Sequence, residues 1–210
     1  MRLDQALAEC PVVAILRGIR PDEVVDHAAA LHHAGVRTIE VPLNSPEAFD
    51  SIERLCNAFS GQVACGAGTV LSPAQVDVLA GLGGSLVVSP NSDSAVIARA
   101  VTLNLDPVPG FGTATEAFAA LAAGARHLKL FPAATYGVGH LRQLKAVLST
   151  QAAVWAVGGV GPASLGAWRA AGALAFGLGA ELYSAGQSIS DTRAKAAAVM
   201  SAARALAPSA

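Results

Sequence analysis

Short apolar, β-branched runs alternate with Ala-rich amphipathic stretches along the chain, and glycine or proline stands at most joins. This alternation constrains the fold more than any other feature. The runs cover 12–16, 38–43, 63–66, 86–89, 103–108, 127–131, 154–157 and 173–178. Each is brief and apolar on both faces, as parallel strands buried between two layers are. Helical spacing fills the intervals at 21–34, 46–59, 73–82, 92–100, 114–123, 138–148 and 162–171, with a last helix over 190–206.

The helix ends carry physical signals. Pro21, Pro73 and Pro162 suit first helical turns, where a missing N–H costs nothing. Ser72 and Gly161 precede two of them as N-caps. Gly35, Gly124 and Gly172 follow helices where a left-handed backbone stops them.

Eight strands, each followed by a helix, predict an α/β fold of the (β/α)8 barrel type, with one domain over 1–210. A first helix over 3–9 would cap the bottom of the barrel. An open doubly wound sheet is the other arrangement of the same pattern.

Composition excludes several classes. Net charge is −1, from 14 basic and 15 acidic side chains, so there is no basic stripe for nucleic acid. Mean hydropathy is +0.48, yet the longest uncharged stretch, 146–168, is broken by Gly158-Gly159 and Gly161-Pro162. It is a poor membrane span. The first residues lack the pattern of a signal peptide. Cys10, Cys56 and Cys65 form no metal or redox spacing and read as reduced thiols of a cytoplasmic protein. The five histidines give no metal pattern, those at 27, 32 and 33 reading as a solvated face or packing positions. No nucleophile elbow and no P-loop occurs.

Barrel active sites lie at the carboxyl ends of the strands. Lys129 is one of only three lysines and sits in the apolar run His127–Phe131. Lys145 and Lys195 fall on helical stretches and are expected to face water. An ammonium in an apolar run is either paired or has its pKa lowered by desolvation, which makes a neutral amine able to form a Schiff base. The plainer alternative is a strand-end lysine snorkelling to solvent. Glu40 lies in a similar run, as a general base or as the ion-pair partner of Lys129 or Arg17. Arg17 suits a carboxylate clamp or a bridge to Glu40. Thr69, after a Gly66-Ala67-Gly68 turn, suits a ligand carboxylate or a helix cap. Gly158-Gly159 and Gly177-Leu178-Gly179 follow strands seven and eight, where barrels place phosphates on backbone N–H groups; tight turns are the alternative.

These segments resemble the 2-keto-3-deoxy-6-phosphosugar-acid aldolases over nearly the whole chain. The resemblance is carried by Pro11–Gly18, Glu40–Pro46, Gly66–Leu71, Ser89–Asn91, Leu128–Pro132, Val157–Val160 and Gly177–Gly179. It implies a class I aldolase without metal or other cofactor, and a homotrimer. In that reading Lys129 forms the Schiff base with C2 of the keto acid and Glu40 shuttles protons. Arg17 and Thr69 hold the pyruvate carboxylate, and Pro90 and Phe131 pack on the pyruvyl group. Gly158, Gly159, Gly179 and Ala180 offer N–H groups to the phosphate. Val41–Pro46, with Asn44 and Ser45 as substrate-binding positions, is similar to the galactonate branch; the gluconate branch more often reads E-V-T-L-R-T. The implied reaction is reversible cleavage of 2-dehydro-3-deoxy-6-phosphogalactonate to pyruvate and glyceraldehyde 3-phosphate. The gluconate epimer, or both epimers, is the nearest alternative; a phosphate-binding isomerase or a non-catalytic binding barrel is more distant. Ala180 stands where relatives often carry Ser, which predicts weaker phosphate affinity. Phe111-Gly112 also departs from the small residues expected there.

Overall fold

A computed structural model of the chain describes residues 1–148 and 152–206. Among the described residues, nine parallel strands form one nearly closed sheet: β1 (Val12–Ile15), β2 (Thr38–Pro42), β3 (Ala64–Gly68), β4 (Leu86–Val88), β5 (Asp106–Val108), β6 (Gly110–Phe111), β7 (His127–Leu130), β8 (Ala153–Val157) and β9 (Ala175–Leu178). Their order is β5-β4-β3-β2-β1-β9-β8-β7-β6. The two edges are one stave, since only Pro109 separates β5 from β6. β5 pairs with β4 and β6 with β7. Pro107 and Pro109 remove two ladder donors, which is why this stave breaks. The Pro109 carbonyl still accepts the Lys129 N–H at 2.8 Å and bridges the gap. The barrel is therefore the expected eight-stave form with its fifth stave divided. That stave begins at Asp106 rather than 103.

The helices are α1 (Leu3–Glu9), α2 (Val24–Ala34), α3 (Ala48–Ala58), α4 (Pro73–Gly81), α5 (Ser94–Thr102), α6 (Ala114–Ala122), α7 (Ala133–Lys145), α8 (Leu165–Ala170) and α9 (Ile189–Arg204). Ser72 caps α4 in a full capping box with Gln75, so Thr69 is not that cap. Gly35, Gly124 and Gly172 all have positive φ after their helices. Three helix boundaries differ most from expectation. Pro21 sits in a turn and α2 starts only at Val24. Pro162 opens a single 3-10 turn ahead of α8. α7 begins at Ala133 and breaks at Gly137, so the predicted 138–148 helix is its second piece. No helix among the described residues is long and apolar enough to cross a membrane.

Period-two alternation sorts the strands into two cores. Val12, Ala14, Ile39, Val41, Leu128, Leu130, Val154, Ala156, Phe176 and Leu178 pack outward under the helices. Val13, Ile15, Leu86, Val88, Val108, Trp155 and Val157 fill the barrel. Leu3, Ala6 and Leu7 of α1 join this inner group and plug the bottom. Each buried leucine there contributes about 1.5–3 kcal/mol. Below the site, His127 Nε2 donates to Asp4 Oδ1 at 2.9 Å and Trp155 Nε1 donates to His127 Nδ1 at 3.2 Å. This chain of bonds ties the plug to β7 and β8.

Candidate active site

The same alternation that sends Ile39 and Val41 outward turns Glu40 into the barrel, and that of Leu128 and Leu130 does so for Lys129. Both are buried, at 2% and 5% exposure. They face one inner space walled by Val13, Val88, Trp155 and Gly177. No ion pair within 4.0 Å joins Glu40 to Lys129 or to Arg17 among the described residues. Glu40 Oε2 is buried without a hydrogen-bond partner. The expected ion-pair role of Glu40 is thus not formed by direct contact, and the carboxylate keeps its acceptor free.

Gly66-Ala67-Gly68 is not a turn but the upper part of β3, in register with Glu40, Val41 and Pro42. Glycine is needed there for space. A Cβ at Gly68 would collide with the Glu40 carboxylate, so the bare β3 backbone makes room for the β2 side chain. Lys129 is likewise in register with Gly110. Its Nζ lies 4.6 Å from the centroid of the Phe131 ring.

Burial sets the electrostatics. Glu40 is pushed up from 4.5 to about 7 by loss of water, with the positive charges of Lys129 and Arg17 opposing the rise. Lys129 is lowered by the same desolvation, with Glu40 opposing and Arg17 adding to the fall. The pair combines an amine that loses its proton more easily than usual with a carboxyl poised near neutral pH.

Above this pair opens a cavity of about 460 Å³. Arg17, Lys129, Phe131, Gly158, Gly159, Gly179 and Ala180 line it, as do Val160, Glu181, Tyr183 and Ser184, which sequence reasoning missed. The Gly-Leu-Gly at 177–179 was the available signal for the loop that carries the last three. Gly158 and Gly159 have φ of 94° and 71°, a pair of left-handed residues that only glycine adopts freely. The N–H groups of Gly159, Gly179 and Ala180 donate to nothing among the described residues. All three residues line the cavity, where free backbone donors suit an anion.

Asn44, Ser45, Thr69 and Pro90 stand outside this lining, around β2, β3 and β4. Asn44 and Ser45 are engaged with the chain itself. Arg17 Nη1 donates to Asn44 Oδ1 at 2.6 Å, and the Gly18 N–H donates to Ser45 Oγ at 2.9 Å. Thr69 is half-buried with φ of 57° and no side-chain hydrogen bond among the described residues. The Pro90 carbonyl lies against Gly110. Gly112 leaves room for the hydroxyl of Tyr136, whose ring stacks on His140 at 4.8 Å, and its carbonyl accepts from His140 at 2.7 Å. The Phe111-Gly112 departure is thus matched by packing: Phe111 is a buried core residue.

Several other polar groups are engaged within the chain. His27 is buried against Thr192 Oγ1 at 2.8 Å, a packing position. Lys145 and Lys195 are half-buried rather than facing water, each donating to a carbonyl. The three cysteines are free and buried. No group of three or more His, Cys, Asp or Glu side chains gathers at one place among the described residues.

Comparison with known proteins agrees with this geometry. The chain is 50% identical over 194 residues to 2-dehydro-3-deoxy-6-phosphogalactonate aldolase of Escherichia coli (strain K12), covering 92% of this chain and 95% of that one. A solved structure described as "Native KDPGal structure" superposes with a TM-score of 0.92 at 49% identity, over 93% of this chain and 95% of the other. A protein cage "designed by fusing symmetric oligomeric domains" matches at 48% identity and a TM-score of 0.93, over 94% of this chain and 73% of that one. The family model for KDPG and KHG aldolase matches residues 3–198, and with a buried lysine and glutamate facing one barrel mouth the chain belongs to that family of carbon–carbon lyases.

Proposed function

We propose that the chain reversibly cleaves 2-dehydro-3-deoxy-6-phosphogalactonate to pyruvate and D-glyceraldehyde 3-phosphate through a Schiff base on Lys129. The observation that carries this reading is the pair formed by Lys129 and Glu40. Both are buried in one inner space, both are shifted toward neutral pH, and no ion pair within 4.0 Å joins them among the described residues.

The neutral amine of Lys129 attacks C2 of the keto acid, and loss of water gives a protonated imine. Glu40 moves protons during carbinolamine formation. Its carboxylate then takes the C4 hydroxyl proton as the C3–C4 bond breaks. The bonding electrons pass into the imine and leave a neutral enamine, while the aldehyde departs. Protonation at C3 and addition of water release pyruvate and restore the amine.

Arg17 holds the pyruvate carboxylate, with Thr69 as a second donor across the mouth. Phe131 and Pro90 pack against the pyruvyl group. The free N–H groups of Gly159, Gly179 and Ala180, with Gly158 shaping the turn, take the phosphate. Asn44 and Ser45 act by holding the β1 loop, which is where the galactonate-like Val41–Pro46 stretch differs from the gluconate branch. The chain acts as a homotrimer, a reading supported by the exposed apolar side chains Leu71, Val78, Val101 and Phe118 on the side formed by α4, α5 and α6. The half-apolar composition with only 14% charge points the same way.

Incubation with pyruvate and borohydride followed by peptide mass spectrometry tests the chemistry. A reduced pyruvyl adduct is expected on Lys129 and on no other lysine. A protein that cleaves the phosphogalactonate but carries no such adduct would overturn the mechanism. Turnover on the galactonate and gluconate epimers, measured side by side, tests the substrate.

A further inference from the structure

Behind the donor set of the cavity, the loop between β9 and α9 is tied down by two side chains that do not line it. Gln187 Oε1 accepts the N–H of Ser184 at 3.0 Å, and its Nε2 donates to the Leu182 carbonyl at 2.8 Å and to Thr192 Oγ1 at 2.6 Å. Lys195, reaching over from α9, donates to the same Gln187 Oε1 at 2.8 Å and to the Ala180 carbonyl at 2.9 Å. Lys195 makes no ion pair within 4.0 Å with any carboxylate among the described residues. Its charge is spent on the backbone of a loop whose front face presents unpaired N–H groups and which also carries the carboxylate of Glu181.

We propose that Lys195 is a positioning residue of the phosphate loop, acting through the Ala180 carbonyl and the Gln187 amide. It fixes the loop so that the Gly179 and Ala180 N–H groups point into the cavity. Its ammonium, bonded to the Ala180 carbonyl, also places positive potential behind the site where the dianion sits. This rests on the phosphate role given to that loop above. The loop gains a cation without exposing it to the substrate, so the phosphate is attracted through hydrogen-bonded backbone rather than by a direct salt bridge.

The test uses the full-length protein and a ligand that does not react. Glycerol 3-phosphate binding is measured by calorimetry in the wild type, K195M, K195R, Q187A and, as a control on another carbonyl-bonded lysine, K145M. K195M and Q187A should weaken binding roughly three- to tenfold, the scale of one or two hydrogen bonds. K195R should restore most of it, and K145M should match the wild type. In cleavage assays K195M should raise KM for the phosphorylated substrate by the same factor with kcat changed little. The borohydride adduct on Lys129 should form as in the wild type. Equal glycerol 3-phosphate affinity in K195M and the wild type would overturn the proposal, as would an equal loss in K145M. Loss of the Lys129 adduct in the wild type, with the phosphate effect intact, would instead count against the aldolase mechanism and leave Lys195 in its role.

Discussion

Arg17 and Asn44 meet at 2.6 Å at the rim of the barrel, although 27 residues separate them in the chain. One position on, Ser45 takes the N–H of Gly18 at 2.9 Å. The two bonds form a clasp between the loops after β1 and β2. Arg17 is exposed, so without Asn44 its long side chain would sample many rotamers and lose the orientation needed to grip a carboxylate. N44A is therefore expected to raise KM in the cleavage direction, and KM for pyruvate in the reverse direction, by about three- to tenfold. kcat should fall less. S45A should give a smaller rise. Steady-state kinetics in both directions check this, and an N44A enzyme with unchanged KM would remove the clasp from the account of binding.

The Glu40 and Lys129 pair makes the rate depend on pH in a defined direction. Proton abstraction needs the Glu40 carboxylate, and burial lifts that group to about 7. kcat/KM should therefore climb as pH rises through about 7. E40Q should lower kcat by about 10²–10⁴-fold, the usual worth of a positioned acid–base group, and abolish that limb. K129M should remove both cleavage and the borohydride adduct. An acid limb left unchanged in the residual activity of E40Q would assign it to another group.

The chemistry of this chain was easier to read from its residues than the supports around it. Lys129 and Glu40 stand out because a charge in a period-two apolar run has few places to go. The alternation of Ile39 and Val41, and of Leu128 and Leu130, turns both inward. Gly66-Ala67-Gly68 reads locally as a turn. Its true reason, space for a side chain crossing from β2, depends on a register that no local pattern encodes. The divided fifth stave depends on which neighbour each half meets. Asn44 and Ser45 carry polar groups at a strand end, so they read as ligand contacts. Only the tertiary structure reveals that their partners are Arg17 and Gly18. The loop from Glu181 to Gln187 has no periodicity and left no signal beyond the glycines before it.

Gly68 offers a clean way to disturb Glu40 without touching it. A methyl group there would collide with the carboxylate. Gly68 is within β3 and does not have positive φ, so alanine strains the contact rather than the backbone. G68A should push Glu40 off its position and lower kcat by at least about tenfold. The Lys129 adduct with pyruvate should still form, though more slowly. Activity equal to the wild type would mean that the carboxylate position is not critical.

Stability should respond to Glu40 and to the buried histidines with opposite signs. Glu40 holds its proton in the native state up to about 7, whereas the unfolded chain releases it near 4.5. The native state therefore binds more protons in that window, and stability falls as pH rises through it. The full penalty above pH 7 is up to about 3 kcal/mol. E40Q should recover part of it, unfolding at a higher temperature than the wild type at pH 8 and losing that advantage near pH 4.5. His127 is lowered chiefly by burial, with its bond to Asp4 and the charge of Asp106 opposing and Arg126 adding to the fall; His27 is lowered by burial with Glu23 and Asp26 opposing. The unfolded chain binds these protons first, so both histidines contribute stability that is complete above about 6.5 and is lost as pH falls below it. Protonation of His127 at Nδ1 would also cost the hydrogen bond from Trp155. H127Q should reduce the acid loss while lowering stability at pH 8 by about 1–2 kcal/mol, from one weakened buried bond. Denaturant melts of the wild type, E40Q and H127Q between pH 5 and 8 separate the two effects, because their differences from the wild type must slope in opposite directions. Parallel slopes would mean that burial at the site and burial against the plug are not acting through these two groups.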